Sequence, residues 1–267
     1  EPVFVDVNEF ALLDINSLKR VINKKIKAII PVHLYGYPCD MKSICDLAKE
    51  YSIPVIEDCS QAHGSQINSQ KVGSFGDLSV FSFYPTKSLG AFGDAGMICL
   101  NNSDIKQKLL KLRFYGVEKN YVAEIDGYNS RMDEIQAGIL NKKLKRLDIN
   151  ISYRNKVRNF YIDNINNKNL KILQKPEGTL ISNYLIPFIY EGDRDVFQKR
   201  LFDQGIGTNV SYRTPIYSMP AYKDLCYKKE DFPNSDKFCK SNISLPIFDY
   251  IPMEFVEKTV EIVNNLS

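Results

Sequence analysis

No run of apolar residues in this sequence approaches the length of a membrane span, and no charged leader followed by an apolar stretch opens it. Neither a membrane helix nor a secretory peptide is therefore expected. Charge of one sign is also missing as a block. The net charge of +3 is spread along the chain, and the short pairs Lys24-Lys25 and Lys142-Lys143 read as solvated helix surfaces, so neither nucleic acid nor a membrane is expected as a partner. The six cysteines (Cys39, Cys45, Cys59, Cys99, Cys226, Cys239) show no Cys-x-x-Cys pair and no Cys/His metal spacing. They read as reduced, mostly buried thiols of a cytoplasmic protein, with no metal expected. Two nucleotide signatures are absent as well. The glycines follow Lys87-Ser88 instead of preceding them, which excludes a Walker loop, and no GxGxxG follows the first strand, which leaves a dinucleotide site weakly supported.

What is there reads as an ordinary globular chain. Of its 267 residues, 44% are hydrophobic and 25% charged, enough for one large domain or two unequal ones. Short apolar strands alternate with amphipathic helices through the first half. Strands are predicted at Val3–Val5, Ala28–Val32, Pro54–Ile56, Leu78–Phe83 and Gly96–Leu100. A helix is predicted over Ser17–Ile22, capped by Asn16 or Ser17, and another after Asp40 to Tyr51, with Met41, Ile44, Cys45 and Ala48 at helical spacing. This alternation predicts an α/β fold with a mostly parallel sheet covered on both faces. Helix resumes from Ser103 to Arg113, a loop spans Tyr121 to Ser130, and one long helical stretch runs from Met132 to Asp163. Residues 1–150 form the large domain and 151–267 a smaller C-terminal α+β domain, with Pro176-Glu177-Gly178 marking the junction into it. In that part Tyr184–Tyr190 reads as a strand, and Asp195–Gln204 and Glu254–Asn265 as helices.

One segment stands out chemically. Phe81 to Tyr84 is an apolar, aromatic strand that leads to Lys87 and then to Gly90, Gly93 and Gly96 at three-residue intervals. A lysine at the mouth of a buried strand is partly desolvated and usable as an amine nucleophile. Glycines let the backbone approach a bulky ligand. The combination suits a Schiff-base lysine holding a pyridoxal cofactor; alone, it also describes a surface lysine in a Gly-rich turn. Upstream, Asp58 ends the strand Pro54–Ile56, where open α/β sheets bind ligands. A carboxylate there could keep a pyridine nitrogen protonated, or simply cap a turn.

Taken together, Pro31–Gly36, Glu57–Gly64 (Glu-Asp-Cys-Ser-Gln-Ala-His-Gly), Phe81–Gly96, Gly127–Ala137 and Ser244–Ile247 resemble, in order and over essentially the whole chain, the DegT/DnrJ/EryC1/StrS family of sugar aminotransferases. That resemblance implies a fold-type I transferase with pyridoxal 5′-phosphate (PLP) as cofactor. It implies Lys87 as the covalent anchor and proton carrier, Asp58 at the ring nitrogen, Gln61 at the phenolic oxygen and Ser82 at the phosphate. Asn129 would reach the phosphate of a neighbouring subunit, so a homodimer with shared active sites is implied. The ordinary alternatives are a strand-end serine for Ser82 and a self-bonded turn residue for Asn129. Arg131 is open between a donor carboxylate and a structural ion pair at the helix start. Of the two histidines, His63 reads as a core residue beside the site and His33 as a residue facing substrate.

Relatives in the family carry a further stretch before the position of Glu1, including a Gly-Thr loop at the cofactor phosphate, so the chain is expected to lack that N-terminal part. One departure from the family pattern falls at Val210-Ser211-Tyr212-Arg213-Thr214-Pro215, where the family often has Val-His-Tyr-Pro; it bears on the sugar, and Arg213 could contact a phosphate or carboxylate or lie idle at the surface. The resemblance implies an aminotransferase acting on a keto-sugar, commonly nucleotide-linked, with glutamate as donor. The alternatives are a non-catalytic or regulatory protein of the same fold, and a PLP-dependent sugar dehydratase. The dehydratase would carry a histidine at the position of Lys87.

Overall fold

The computed structural model describes residues 1–100, 103–118 and 120–266. In chain order the elements are α1 (Ile15–Val21), α2 (Met41–Glu50), β1 (Ile56–Asp58), β2 (Gln66–Ile67), β3 (Gln70–Lys71), β4 (Leu78–Ser82), β5 (Gly96–Leu100), α3 (Ser103–Arg113), α4 (Glu134–Leu144) and α5 (Leu147–Asn164). The second half continues with β6 (Leu170–Ile172), β7 (Thr179–Leu180), β8 (Ile186–Tyr190), α6 (Arg194–Asp203), α7 (Pro233–Ser241), β9 (Asn242–Leu245) and α8 (Met253–Asn265).

The sheet that positions the site has the order β1-β4-β5. β1 and β4 run parallel, with Asp58 opposite Val80, and single parallel bridges add Ile29 to Val55 and Val32 to Asp58 on the other side of β1. The parallel expectation fails at β5, which lies antiparallel on β4. A parallel strand needs a long crossover, whereas Ser82 and Gly96 are joined by the Lys87 loop alone.

Coverage of both sheet faces is also not what the chain shows. Ile29 and Val55 join the core formed with Leu18, Met41, Ile44 and Leu47. On the opposite face, Ile30 and Ile98 are 58% and 49% exposed. The alternation of side chains along a strand separates these two sets.

Local sequence explains the helices. Asp40 caps α2, its carboxylate accepting from Ser43 N at 3.1 Å and from Ser43 Oγ at 2.6 Å, a contact worth about 1 kcal/mol. α1 starts earlier than predicted because Asp14, not Asn16 or Ser17, is the cap, accepting from Ser17 N at 2.6 Å. The predicted strand at Val3–Val5 is absent; only an isolated bridge joins Val7 to Leu13. The long helix predicted over 132–163 is two helices, broken at Lys145 and Arg146.

β6, β8 and β9 form an antiparallel sheet whose core includes Val157 and Tyr161 of α5, Phe197 and Leu201 of α6, and Val256 and Val260 of α8. The first turns of α5 belong elsewhere: Leu147 and Ile151 pack with Phe83, Leu89 and Ala91 around the Lys87 loop. The segment after Pro176 returns to the N-terminal half, β7 pairing with β2 and Ile181 entering the first core. Asp6 ties the chain ends. Buried, it accepts from Asn234 N, Ser235 N and Ser235 Oγ at 3.0, 2.8 and 2.6 Å, in the first turn of α7.

Candidate active site

Asp58 is the last residue of β1. Its backbone is fixed on one side, with its N–H donating to Pro31 O and its carbonyl accepting from His33 N. Its carboxylate Oδ1 accepts from Ser60 N at 2.9 Å, in a turn closed by Ala62 N donating to Cys59 O. That turn presents Gln61. Its side chain is held at both ends: Oε1 accepts from Tyr35 N at 2.7 Å, and Nε2 donates to Tyr212 Oη at 3.1 Å.

Ser82 ends the neighbouring strand β4, its Oγ accepting from Tyr84 N at 3.4 Å. The chain then turns, Lys87 N donating to Tyr84 O. Gly90 is required here, because a Cβ at that position would sit 2.5 Å from Pro85 O. The Lys87 ammonium lies 4.7 Å from the centroid of the Tyr184 ring, and Thr86 Oγ1 meets Tyr184 Oη at 3.4 Å. Among the described residues no carboxylate or other acceptor bonds Lys87 Nζ. Burial raises the Tyr212 phenol above its ordinary pKa, with the Gln61 bond opposing and the charges of Asp58 and Tyr184 adding to the rise. Asp58, Gln61, Lys87, Tyr184 and Tyr212 therefore form one neighbourhood at the carboxyl ends of β1 and β4.

His63 lies beneath it, buried, with its ring 5.7 Å from both Phe81 and Phe83. Among the described residues neither ring nitrogen has a partner at hydrogen-bond geometry, the Ser82 backbone being the polar group that interacts with the ring. Burial lowers its pKa to about 4, with the Ser82 backbone opposing the shift and the positive charge of Lys87 adding to it.

The sequence matches the DegT/DnrJ/EryC1/StrS aminotransferase family over residues 1–264. The chain belongs to that family. Within it, the chain is 36% identical to the dTDP-3-amino-3,4,6-trideoxy-alpha-D-glucose transaminase of Micromonospora megalomicea subsp. nigra, over 99% of this chain and 72% of the relative. It is 39% identical to the dTDP-3-amino-3,6-dideoxy-alpha-D-galactopyranose transaminase of Aneurinibacillus thermoaerophilus, over 98% and 72%. Among solved structures it resembles DesV of S. venezuelae, in complex with ketimine intermediate, with a TM-score of 0.94 and 30% identity, covering 99% of this chain and 71% of that one. Both of these relatives are named as sugar transaminases, and this chain is an enzyme of that kind.

The other residues singled out in the sequence lie as follows. His33 does not face substrate. It is fully buried, Nε2 donating to Glu57 Oε2 at 3.1 Å and Nδ1 accepting from Cys39 N at 3.0 Å. Glu57 in turn accepts from Gly73 N, Phe75 N and Gly76 N, each at 2.7 Å. His33, Glu57 and Cys59 come close enough to suggest a metal site, but both imidazole nitrogens and both carboxylate oxygens are already bonded. The Arg213 guanidinium is engaged by Asp195 and Gln198 on α6. Arg131 lies on the Phe114 and Tyr115 rings, 5.2 and 5.8 Å from their centroids, and makes no ion pair with a described residue. Asn129 is exposed and bridges Phe114 through the backbone. Sequence reasoning missed Tyr35 and Tyr184, whose rings resemble ordinary strand and core aromatics. It also passed over Tyr212, although the segment holding it was singled out.

Proposed function

We propose that this chain is a fold-type I, PLP-dependent aminotransferase that converts a keto-sugar, carried on a nucleotide, into the amino-sugar with glutamate as nitrogen donor. The observation that carries the reading is Lys87: an amine at the carboxyl end of the sheet, packed on the Tyr184 ring and bonded to no acceptor among the described residues. An amine in that state is available as a nucleophile. The nucleotide-sugar substrate is supported by the names of the relatives.

The bonding capacity left unused at this site fits the cofactor. Among the described residues Asp58 Oδ2 accepts from none, Gln61 Nε2 keeps one hydrogen, and Lys87 Nζ has no acceptor. Bound PLP supplies an electron sink and a carrier for the amino group between donor and acceptor. Asp58 keeps a proton on the pyridine nitrogen by holding a negative charge beside it. Gln61 donates to the phenolic oxygen, and Ser82 donates to the phosphate. Asn129, in a homodimer, reaches the phosphate in the neighbouring subunit. Lys87 would anchor the group, and its Nζ, as a free amine, would serve as the proton acceptor and donor of the site. Residues 1–150 carry these groups, and 151–267 form the smaller domain.

The test is spectroscopic. Protein mixed with PLP turns yellow, its absorbance changes on adding glutamate, and borohydride reduction followed by peptide mapping labels Lys87. A protein that stays colourless overturns the cofactor. A Lys87→Ala variant that is still labelled at a single site overturns the lysine assignment.

A further inference from the structure

Gln61 is fixed by three separate parts of the chain. The amide N–H of Tyr35 can only donate, so the atom facing it at 2.7 Å is the side-chain oxygen, and Nε2 must turn the other way. There it donates one hydrogen to Tyr212 Oη at 3.1 Å. The backbone carbonyl of Gln61 accepts from Ser182 Oγ at 3.2 Å. Gly36, at φ +93°, allows this convergence, because a Cβ there would collide with Ser182 Oγ.

Tyr35 and Tyr212 flank the amide, with ring centroids 6.5 Å apart, and both have left-handed backbones, at φ 60° and 58°. Bulky residues seldom adopt that conformation, and where they do the surrounding structure has to hold them in it. Tyr212 comes from more than 150 residues away. Its hydroxyl takes one Nε2 hydrogen of Gln61 and, with the Tyr35 contact at the other end, fixes the amide plane in which the second lies.

We infer that Tyr212 is a positioning residue for the aminotransferase site: its hydroxyl locks the Gln61 amide so that the remaining N–H is aimed at the phenolic oxygen of the bound cofactor. The inference rests on the PLP reading above. A phenol can serve in this way because it accepts from Gln61 and keeps its own hydrogen to donate. A phenol is protonated at neutral pH, and the surroundings of Tyr212 raise its pKa further. A hydrogen bond to the phenolic oxygen draws off its negative charge and so weakens its hold on the neighbouring proton. With the bond intact, the cofactor-loaded protein loses that proton at lower pH.

The experiment is a pH titration of the visible band of the PLP-loaded protein, beside the PLP dissociation constant of the stripped protein. Tyr212→Phe keeps the ring and removes only the hydroxyl. It moves the midpoint up by about 0.5–1 pH unit. Gln61→Ala moves it up at least as far, and the double variant moves it no further than Gln61→Ala alone, because the two residues act as one unit. A merely structural tyrosine would lower thermal stability and leave the midpoint in place. Two results overturn the inference: a wild-type midpoint in Tyr212→Phe beside a shifted one in Gln61→Ala, or fully additive shifts in the double variant. A wild-type protein that takes up no PLP overturns both the inference and the reading beneath it.

Discussion

His33 Nε2 donates to Glu57 Oε2 at 3.1 Å with both side chains shielded from solvent. The same carboxylate accepts from three backbone N–H groups of the Gly73–Gly76 turn, so one buried anion fastens that turn to β1, one residue before Asp58. Burial alone would push the Glu57 pKa up. The bonds from His33, Gly76 and Gly73 outweigh it and hold the carboxyl below its ordinary value of 4.5.

Removing that acceptor should be costly. Glu57→Ala leaves three donors and His33 unsatisfied in a dry interior, and a loss of about 3–5 kcal/mol is expected. Denaturant titration measures it. A loss below about 1 kcal/mol would contradict the fastening role. Because the folded pKa is depressed, the contribution of Glu57 is complete above pH 4.5 and disappears as pH falls through the folded value. A neutral Glu57→Gln variant should therefore show a shallower fall in stability over that range.

His63 acts over a higher pH window. Its pKa falls from 6.5 to about 4 on folding, so between those values the unfolded chain binds more protons than the folded one. Stability is complete above pH 6.5 and declines toward pH 4, by up to ~3 kcal/mol. In His63→Phe the titrating group is gone, and urea midpoints measured across this window should change less with pH. An unchanged slope would refute the assignment.

Lys87→Arg keeps the charge over Tyr184 but not the nucleophilic amine. We expect the melting temperature to stay within a few degrees of the parent and the turnover to fall by roughly 10³-fold or more. Comparable turnover in this variant would remove Lys87 from the chemistry.

Asp6→Ala removes an acceptor for three hydrogen bonds that join the N-terminal segment to α7. A loss of about 1–3 kcal/mol is expected, with faster amide exchange at Asn234 and Ser235. Unchanged exchange there would show that α7 does not depend on this cap.

How much of this was legible depended on the range over which each feature acts. The helical spacing of Met41, Ile44 and Ala48 and the cap at Asp40 are local, and α2 forms where they put it. The strand before Lys87 was readable from its apolar run, whereas the one expected at Pro54–Ile56 forms two residues later and takes in Asp58 itself. The break at Lys145 and Arg146 carries no glycine or proline, so nothing in the pattern separates α4 from α5. β2, β3 and β7 have two residues each, too few for alternation to register. His33 was misjudged because its partner is 24 residues away on another strand. Tyr212 was passed over because its hydroxyl acts on a residue 151 positions earlier.

The unbroken helix α5 has a mechanical consequence. Its N-terminal turns sit in the cluster around the Lys87 loop, and its later turns in the core of the C-terminal sheet. A continuous helix without proline or glycine is stiff along its axis, so it works as a strut between the two cores. A shift of α5 with the C-terminal sheet would therefore also displace the side chains packed around the Lys87 loop.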